Sequence, residues 1–247
     1  MKKFLSGLFI ICSLSVVSFG DSIKVFVASS AKLAMTDVAN EFKKSNPNDE
    51  IVLTFSATGK AYAQLSNGFP YDIFMAADSK YPAKIVADGL VISTPEIYAM
   101  GVVALYSNDK NLIKQGINAL KSKKVKHISI ANPKVAPYGV AATEILASYG
   151  LTNATASKIV MGDNIAQSVQ FVDSGAADIG LVAYSLLKVG QPKGEYLVID
   201  KSKYAPMEQS FVLTKYAKGK PLATKFASFI TSKSAKELFK KYGFETK

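Results

Sequence analysis

The sequence predicts an α/β fold, and three observations carry that prediction. From Asp21 onward, short apolar runs recur along the chain, and nearly every one leads into a stretch with helical periodicity. The junctions between them are rich in Ser, Thr, Asn and Gly, which start helices and close turns. Strand and helix alternating in this way imply βαβ units, with helices covering both faces of a mainly parallel sheet.

Taken in order, strands are expected at 22–27, 50–55, 72–76, 100–106, 126–131, 179–183, 195–200 and 209–214. Each is rich in Val, Ile, Leu, Phe or Tyr, the side chains that suit a half-buried pleat. Amphipathic helices are expected between and after them at 31–45, 60–66, 82–88, 111–120, 140–149, 166–174, 221–232 and 234–242. Segments 97–106 and 204–214 read as crossovers between two lobes. One lobe then holds 21–97 plus 208–247, and the other holds 98–207. No Gly/Ser linker or repeat marks the division, so composition leaves a single doubly wound domain open as the alternative.

Residues 1–20 have the form of an export signal, with Lys2 and Lys3 ahead of the apolar stretch from Phe4 to Val17 and small residues at Ser18 and Gly20. Cleavage near Gly20 is expected, giving an exported protein. The apolar stretch falls short of the roughly 20 residues that span a bilayer. Cys12, the only cysteine, lies inside it behind the bulky Ile11, an unsuitable site for lipid attachment. The chain from Asp21 then has no disulfide or thiolate chemistry.

Without Lys2 and Lys3 the formal net charge falls from +11 to +9, and every basic residue is lysine. The lysines are spread along the chain, apart from a cluster at Lys121–Lys126, and show no basic-aromatic interleaving. Nucleic-acid binding is therefore not expected. The absence of arginine removes the bidentate fork with which carboxylate ligands are usually held. His127 is the sole histidine, so neither a soft-ligand metal site nor a nucleophile–base pair can be assembled around it. Asp72 and Asp78 stand at opposite ends of one strand, with Asp78 placed to cap the next helix.

Open α/β sheets bind ligands where strand ends run into helix starts. Four such junctions stand out: Ser29-Ser30, Ala57-Thr58-Gly59, Pro137-Tyr138-Gly139 and Asp163-Asn164-Ile165. Ordinary helix capping explains any one of them. Converging, they would hold an anion by hydroxyls and backbone N–H groups without a formal cation. A site built from donors favours a fully deprotonated dianion such as molybdate, tungstate or sulfate, whereas phosphate keeps a proton that wants an acceptor.

Several stretches then carry a resemblance. They are Val25-Phe-Val-Ala-Ser-Ser30, Phe55-Ser-Ala-Thr-Gly59, Tyr71-Asp-Ile-Phe-Met-Ala-Ala-Asp78, Asn132-Pro133 with Ala136-Pro-Tyr-Gly139, Gly180-Leu-Val-Ala-Tyr184 and Phe239-Lys-Lys-Tyr-Gly-Phe244. Together and in this order they resemble the periplasmic molybdate-binding proteins of ABC importers. The resemblance implies a type II solute-binding fold of two α/β lobes joined by two crossovers, with the anion in the cleft. Carried over by position, it implies ligation by the Ser30 hydroxyl and N–H, the Thr58 hydroxyl, and the backbone N–H groups of Tyr138 and Ile165. Ser29, Gly59 and Tyr184 are further candidates. Tyr184 stands one place later than the ligating tyrosine of some relatives, and the Tyr138 hydroxyl is a candidate to replace it. The resemblance also implies periplasmic residence, a molybdate or tungstate ligand, no cofactor, no direct protein–metal bond, an inner-membrane permease as partner, a monomer, and no enzymatic activity. Sulfate remains open as the ligand. A ferric carrier would want adjacent tyrosines, and the chain has twelve tyrosines but no Tyr-Tyr pair. An exported α/β hydrolase would want a Gly-x-Ser-x-Gly elbow, which is missing.

Overall fold

A computed structural model describes residues 20–246; the expected export signal as far as residue 19, Cys12 included, lies outside them. The strands are β1 (Ser22–Ala28), β2 (Glu50–Ser56), β3 (Ile73–Met75), β4 (Glu96–Gly101), β5 (Val103–Ser107), β6 (Ile128–Ala131), β7 (Ile159–Gly162), β8 (Ile179–Ala183), β9 (Glu195–Val198) and β10 (Met207–Leu213). The helices are α1 (Lys32–Lys44), α2 (Thr58–Ser66), α3 (Lys80–Ala87), α4 (Lys110–Lys114), α5 (Pro137–Ser148), α6 (Thr152–Thr155), α7 (Ile165–Asp173), α8 (Pro221–Ile230) and α9 (Lys233–Lys241).

The strands form two five-stranded sheets built on one plan, β2-β1-β3-β10-β4 and β7-β6-β8-β5-β9. In each, three neighbouring strands are parallel and the remaining two pairings are antiparallel. Each lobe is thus a mixed sheet flanked by helices. The antiparallel member next to the parallel trio is in both cases a strand at a crossover, β10 or β5.

The expected strand at 100–106 is two strands in different sheets. Met100 pairs with Glu208 of β10 in the first, whereas Val103 pairs with Ala183 of β8 in the second. Residues 98–101, expected in the second lobe, therefore belong to the first sheet, and the chain changes sheets at Val102. Met207 likewise pairs with Gly101 in the first sheet, one residue ahead of the expected boundary. The expected helix 111–120 stops at Lys114 because Gly116 adopts φ +59°, and a 3-10 turn follows over Gly116–Lys121. Strand β7 escaped prediction: it is four residues long, and its Met161 is exposed.

Helix α1 buries Ala34, Met35, Val38 and Phe42, an i, i+4, i+8 stripe along one face, and ends on Lys43 and Lys44 at the negative end of its dipole. It packs on α9, whose buried Ala235 and Phe239 are one turn apart and whose first turn is capped by the Ser232 hydroxyl. These residues form the outer core of the first lobe. The inner face of that sheet, through Phe26 and Phe74, joins Tyr138, Met207 and the second lobe's core in one continuous cluster. Burial of this kind contributes roughly 25 cal/mol per Å² of apolar surface. It fixes where the helix starts of the two lobes meet.

Candidate functional site

Four helix starts meet at a single cavity between the lobes. Helices α2, α5 and α7 begin at Thr58, Pro137 and Ile165, a little earlier than periodicity alone suggests, and a 3-10 turn at Ser29–Ala31 leads into α1. The cavity is lined by Ala28, Ser29, Ser30, Ser56, Ala57, Thr58 and Ala77 from the first lobe and by Ala136, Pro137, Tyr138 and Ile165 from the second. It encloses about 190 Å³, mouth included. Among the described residues no charged side chain lines it.

The ends of these helices are unusual in what they omit. The residues before the first turns are Ala28, Ala57 and Ala136, and none makes a side-chain cap bond. Alanine is among the poorest caps, worse than Ser, Asn or Asp by about 1 kcal/mol. No acidic residue stands in the first turn of any of the four. Only α7 is capped, by the Asn164 side chain, which accepts from Ala166 N and Gln167 N and leaves Ile165 N outside that arrangement. Ordinary capping therefore does not account for three of the four junctions. No side chain takes a first-turn N–H at these three junctions; Gly59 N and Gly139 N go to the carbonyls of Val135 and Ala136, and the positive ends of the dipoles face the cavity with no charge set against them.

The hydroxyls are arranged as donors. Thr58 Oγ1 accepts from Ala77 N at 3.2 Å, which leaves its proton free to point elsewhere. Ser30 Oγ donates to Gln209 Oε1 over 3.4 Å, a long contact that is easily exchanged. Tyr138 Oη accepts from Gln209 Nε2 at 3.2 Å. Burial, with a lesser contribution from Tyr204, raises the Tyr138 phenol well above its ordinary value, so it stays protonated. The Tyr98 phenol is raised in the same way by burial and donates to Gln209 Oε1 at 3.0 Å.

The structure brings Ser29, Ser30, Thr58, Tyr138 and Ile165 to this one cavity. Two other candidates stand apart from it. Gly59 does not line the cavity: its N–H donates to Val135 O of the second lobe at 2.8 Å and is not available to a ligand. A Cβ there would sit 2.3 Å from Tyr81 Oη and 2.9 Å from Val135 O, so the glycine serves the approach of the lobes. Tyr184 does not line the cavity either; its ring packs on Tyr196 with centroids 5.4 Å apart. Asp72 is fully buried and holds Lys24 N and Lys220 Nζ, while Asp78 Oδ1 accepts from Tyr81 N in the first turn of α3. His127 lies at the exposed start of β6.

Bonds across the cleft close the site. Besides Gly59 to Val135, Ser185 Oγ donates to Ser30 O at 2.7 Å, and Lys60 pairs with Asp163 at 3.0 Å on the surface. Sequence reasoning missed Tyr98, Ser185 and Gln209, each far along the chain from the residues it touches. One signal was readable: an alanine precedes Ser29, Thr58 and Pro137 alike, where a capping residue is the usual choice.

Comparison with known proteins identifies the fold and the family. Residues 23–245 match the family described as bacterial extracellular solute-binding protein. The chain is 36% identical over 225 residues to the molybdate-binding protein ModA of Azotobacter vinelandii, covering 90% of this chain and 89% of that one. It is 32% identical over 197 residues to ModA of Rhodobacter capsulatus, covering 79% and 77%. The solved periplasmic molybdate-binding protein of Azotobacter vinelandii superimposes with a TM-score of 0.85 at 30% identity, over 91% of this chain and 99% of that one. The chain belongs to the bacterial extracellular solute-binding proteins.

Proposed function

We propose that this protein is the extracytoplasmic binding component of an ABC importer, capturing molybdate or the nearly isosteric tungstate in the cleft between its lobes. One observation carries the reading: four helix starts, two from each lobe and three without caps, face a cavity whose lining holds hydroxyls and N–H groups but no charge. Ser30 and Thr58 supply hydroxyls, Tyr138 and Ile165 supply backbone N–H groups, and Ser29 stands beside them. In a cleft that excludes water each of these bonds is stronger than in solution, and donors from both lobes make ligand binding and lobe closure one event. The ligand's own metal, molybdenum or tungsten, is reached only through its oxygens, and the protein needs no cofactor. Relatives described as molybdate-binding at 36% and 32% identity support the choice of anion.

The same reading makes the protein a monomer that delivers its cargo to a permease, exported under the direction of residues 1–20, rather than an enzyme. Calorimetric titration of residues 21–247 with molybdate, tungstate, sulfate and phosphate tests it. One-to-one binding of molybdate and tungstate, tighter than either other anion, is expected. Tighter binding of sulfate or phosphate would assign a different ligand to the cavity.

A further inference from the structure

Beside the cavity, one side-chain amide touches the donors of both lobes, and the helix-start scheme does not require it. Gln209 lies in β10 and is wholly buried. Its Oε1 accepts from Tyr98 Oη at 3.0 Å and from Ser30 Oγ at 3.4 Å, and its Nε2 donates to Tyr138 Oη at 3.2 Å. A buried amide in a sheet is costly unless its groups are paired, and here the partners come from β4, the α1 entry and α5.

Two backbone features make room for it. The β10–β4 ladder shifts register between Gln209 and Ser210, where Tyr98 of β4 is the extra residue, and a bulge of this kind re-aims a side chain, here the phenol that meets Gln209. Gly101, the last residue of β4, lies against the meeting point: a Cβ there would sit 2.6 Å from Gln209 Nε2 and 2.7 Å from Tyr138 Oη. The glycine is what lets the amide of one lobe reach the phenol of the other.

We propose that Gln209 is a positioning residue of the anion site, one that orients the Tyr138 hydroxyl as a donor and releases the Ser30 hydroxyl to the ligand. The inference rests on the oxyanion reading above. A phenol has one proton. With Gln209 Nε2 donating to its oxygen, that proton turns away from the amide, and Tyr138 and Ser30, which share this amide, both line the cavity. When Ser30 gives its proton to an anion, Gln209 Oε1 still has the Tyr98 hydroxyl at 3.0 Å, whose one proton it shares with Ala76 O at 3.2 Å, so the exchange does not strip the amide oxygen of its nearer donor. One amide thereby serves a hydroxyl from each lobe, beside the strands through which the chain passes between them.

The test is a double-mutant cycle on molybdate affinity, comparing wild type, Gln209→Met, Tyr138→Phe and the double variant, with thermal midpoints measured alongside. Each single variant is expected to bind about tenfold more weakly, the equivalent of one hydrogen bond. The double variant should bind within about twofold of Tyr138→Phe, because the amide acts through the phenol. A purely structural amide would not give that lack of additivity. Should Gln209→Met fail to fold, Gly101→Ala, which wedges the same contact apart, takes its place with the same expectation. Wild-type affinity in Gln209→Met, or losses that multiply to about a hundredfold in the double variant, would overturn the inference. A wild-type protein that binds none of the four oxyanions would instead overturn the functional reading itself, and this inference with it.

Discussion

The two lobes contribute different chemistry to one cavity. The first brings side-chain hydroxyls, Ser29, Ser30 and Thr58, at two helix starts that follow uncapped alanines. The second brings Pro137 and Tyr138 at the start of α5 and the backbone of Ile165, which stands just after the Asn164 cap of α7. Proline at a first helical position loses no useful donor, since its missing N–H is one the helix does not need. The contrast teaches where substitutions should matter. A hydroxyl is removed by changing one side chain, but a main-chain donor survives almost any replacement that keeps the helix start in place.

The sharpest way to break the symmetry is to restore a charge that both lobes omit. Ala57→Asp in the first lobe or Ala136→Asp in the second would cap its helix and set a carboxylate against the dianion. Like charges about 4 Å apart repel by about 4 kcal/mol at a protein-surface dielectric, so each should weaken molybdate binding more than a hundredfold in a titration. Binding within tenfold of wild type would show that the anion does not sit at these helix starts. Next in size are the hydroxyls: Ser30→Ala and Thr58→Val should each lose about 1–3 kcal/mol of binding free energy. Smallest is Ile165→Val, expected to bind within about twofold of wild type because the N–H remains. A large loss from Ile165→Val, with none from Ser30→Ala, would reverse the comparison between lobes.

The same donor set implies a particular pH response. Among the described residues no carboxylate, lysine or histidine lines the cavity, so molybdate affinity should stay flat between about pH 6 and pH 9. The buried Tyr98 and Tyr138 phenols are raised above their ordinary value. Their contribution to stability is fully present below about pH 10, the unfolded value, and is lost as pH rises toward the folded values. On the phenols' account denaturant midpoints should fall in strong alkali, and Tyr138→Phe should remove part of that fall. An affinity that changes tenfold between pH 6 and pH 8 would point to a titrating ligand group.

Much of this was legible in the sequence, for identifiable reasons. The alternation of apolar runs with helical segments announced the α/β class, and residues that begin helices after strands flagged the four junctions, within which the family resemblance singled out Ser30, Thr58, Tyr138 and Ile165. Local pattern reached that far because strand ends and helix starts are local features. It did not reach the change of sheet at Val102, since 100–106 is one unbroken apolar run and only long-range pairing divides it. Nor did it reach Gln209, which touches residues 71, 111 and 179 positions away. Gly59 shows the converse. Its place in a helix start marked it as a donor, while the other lobe's Val135 carbonyl, invisible to local pattern, takes its N–H.

The central claim is that the anion rests on helix starts and hydroxyls from both lobes, with no charged side chain in contact. A crystal structure of the tungstate complex, with the metal located by its anomalous scattering, tests this most directly. The account predicts one strong peak in the cavity, its oxygens within hydrogen-bond distance of the Ser30 and Thr58 hydroxyls and of the Tyr138 and Ile165 backbone N–H groups. A peak held by a lysine ammonium, or one touching residues of a single lobe, would contradict it.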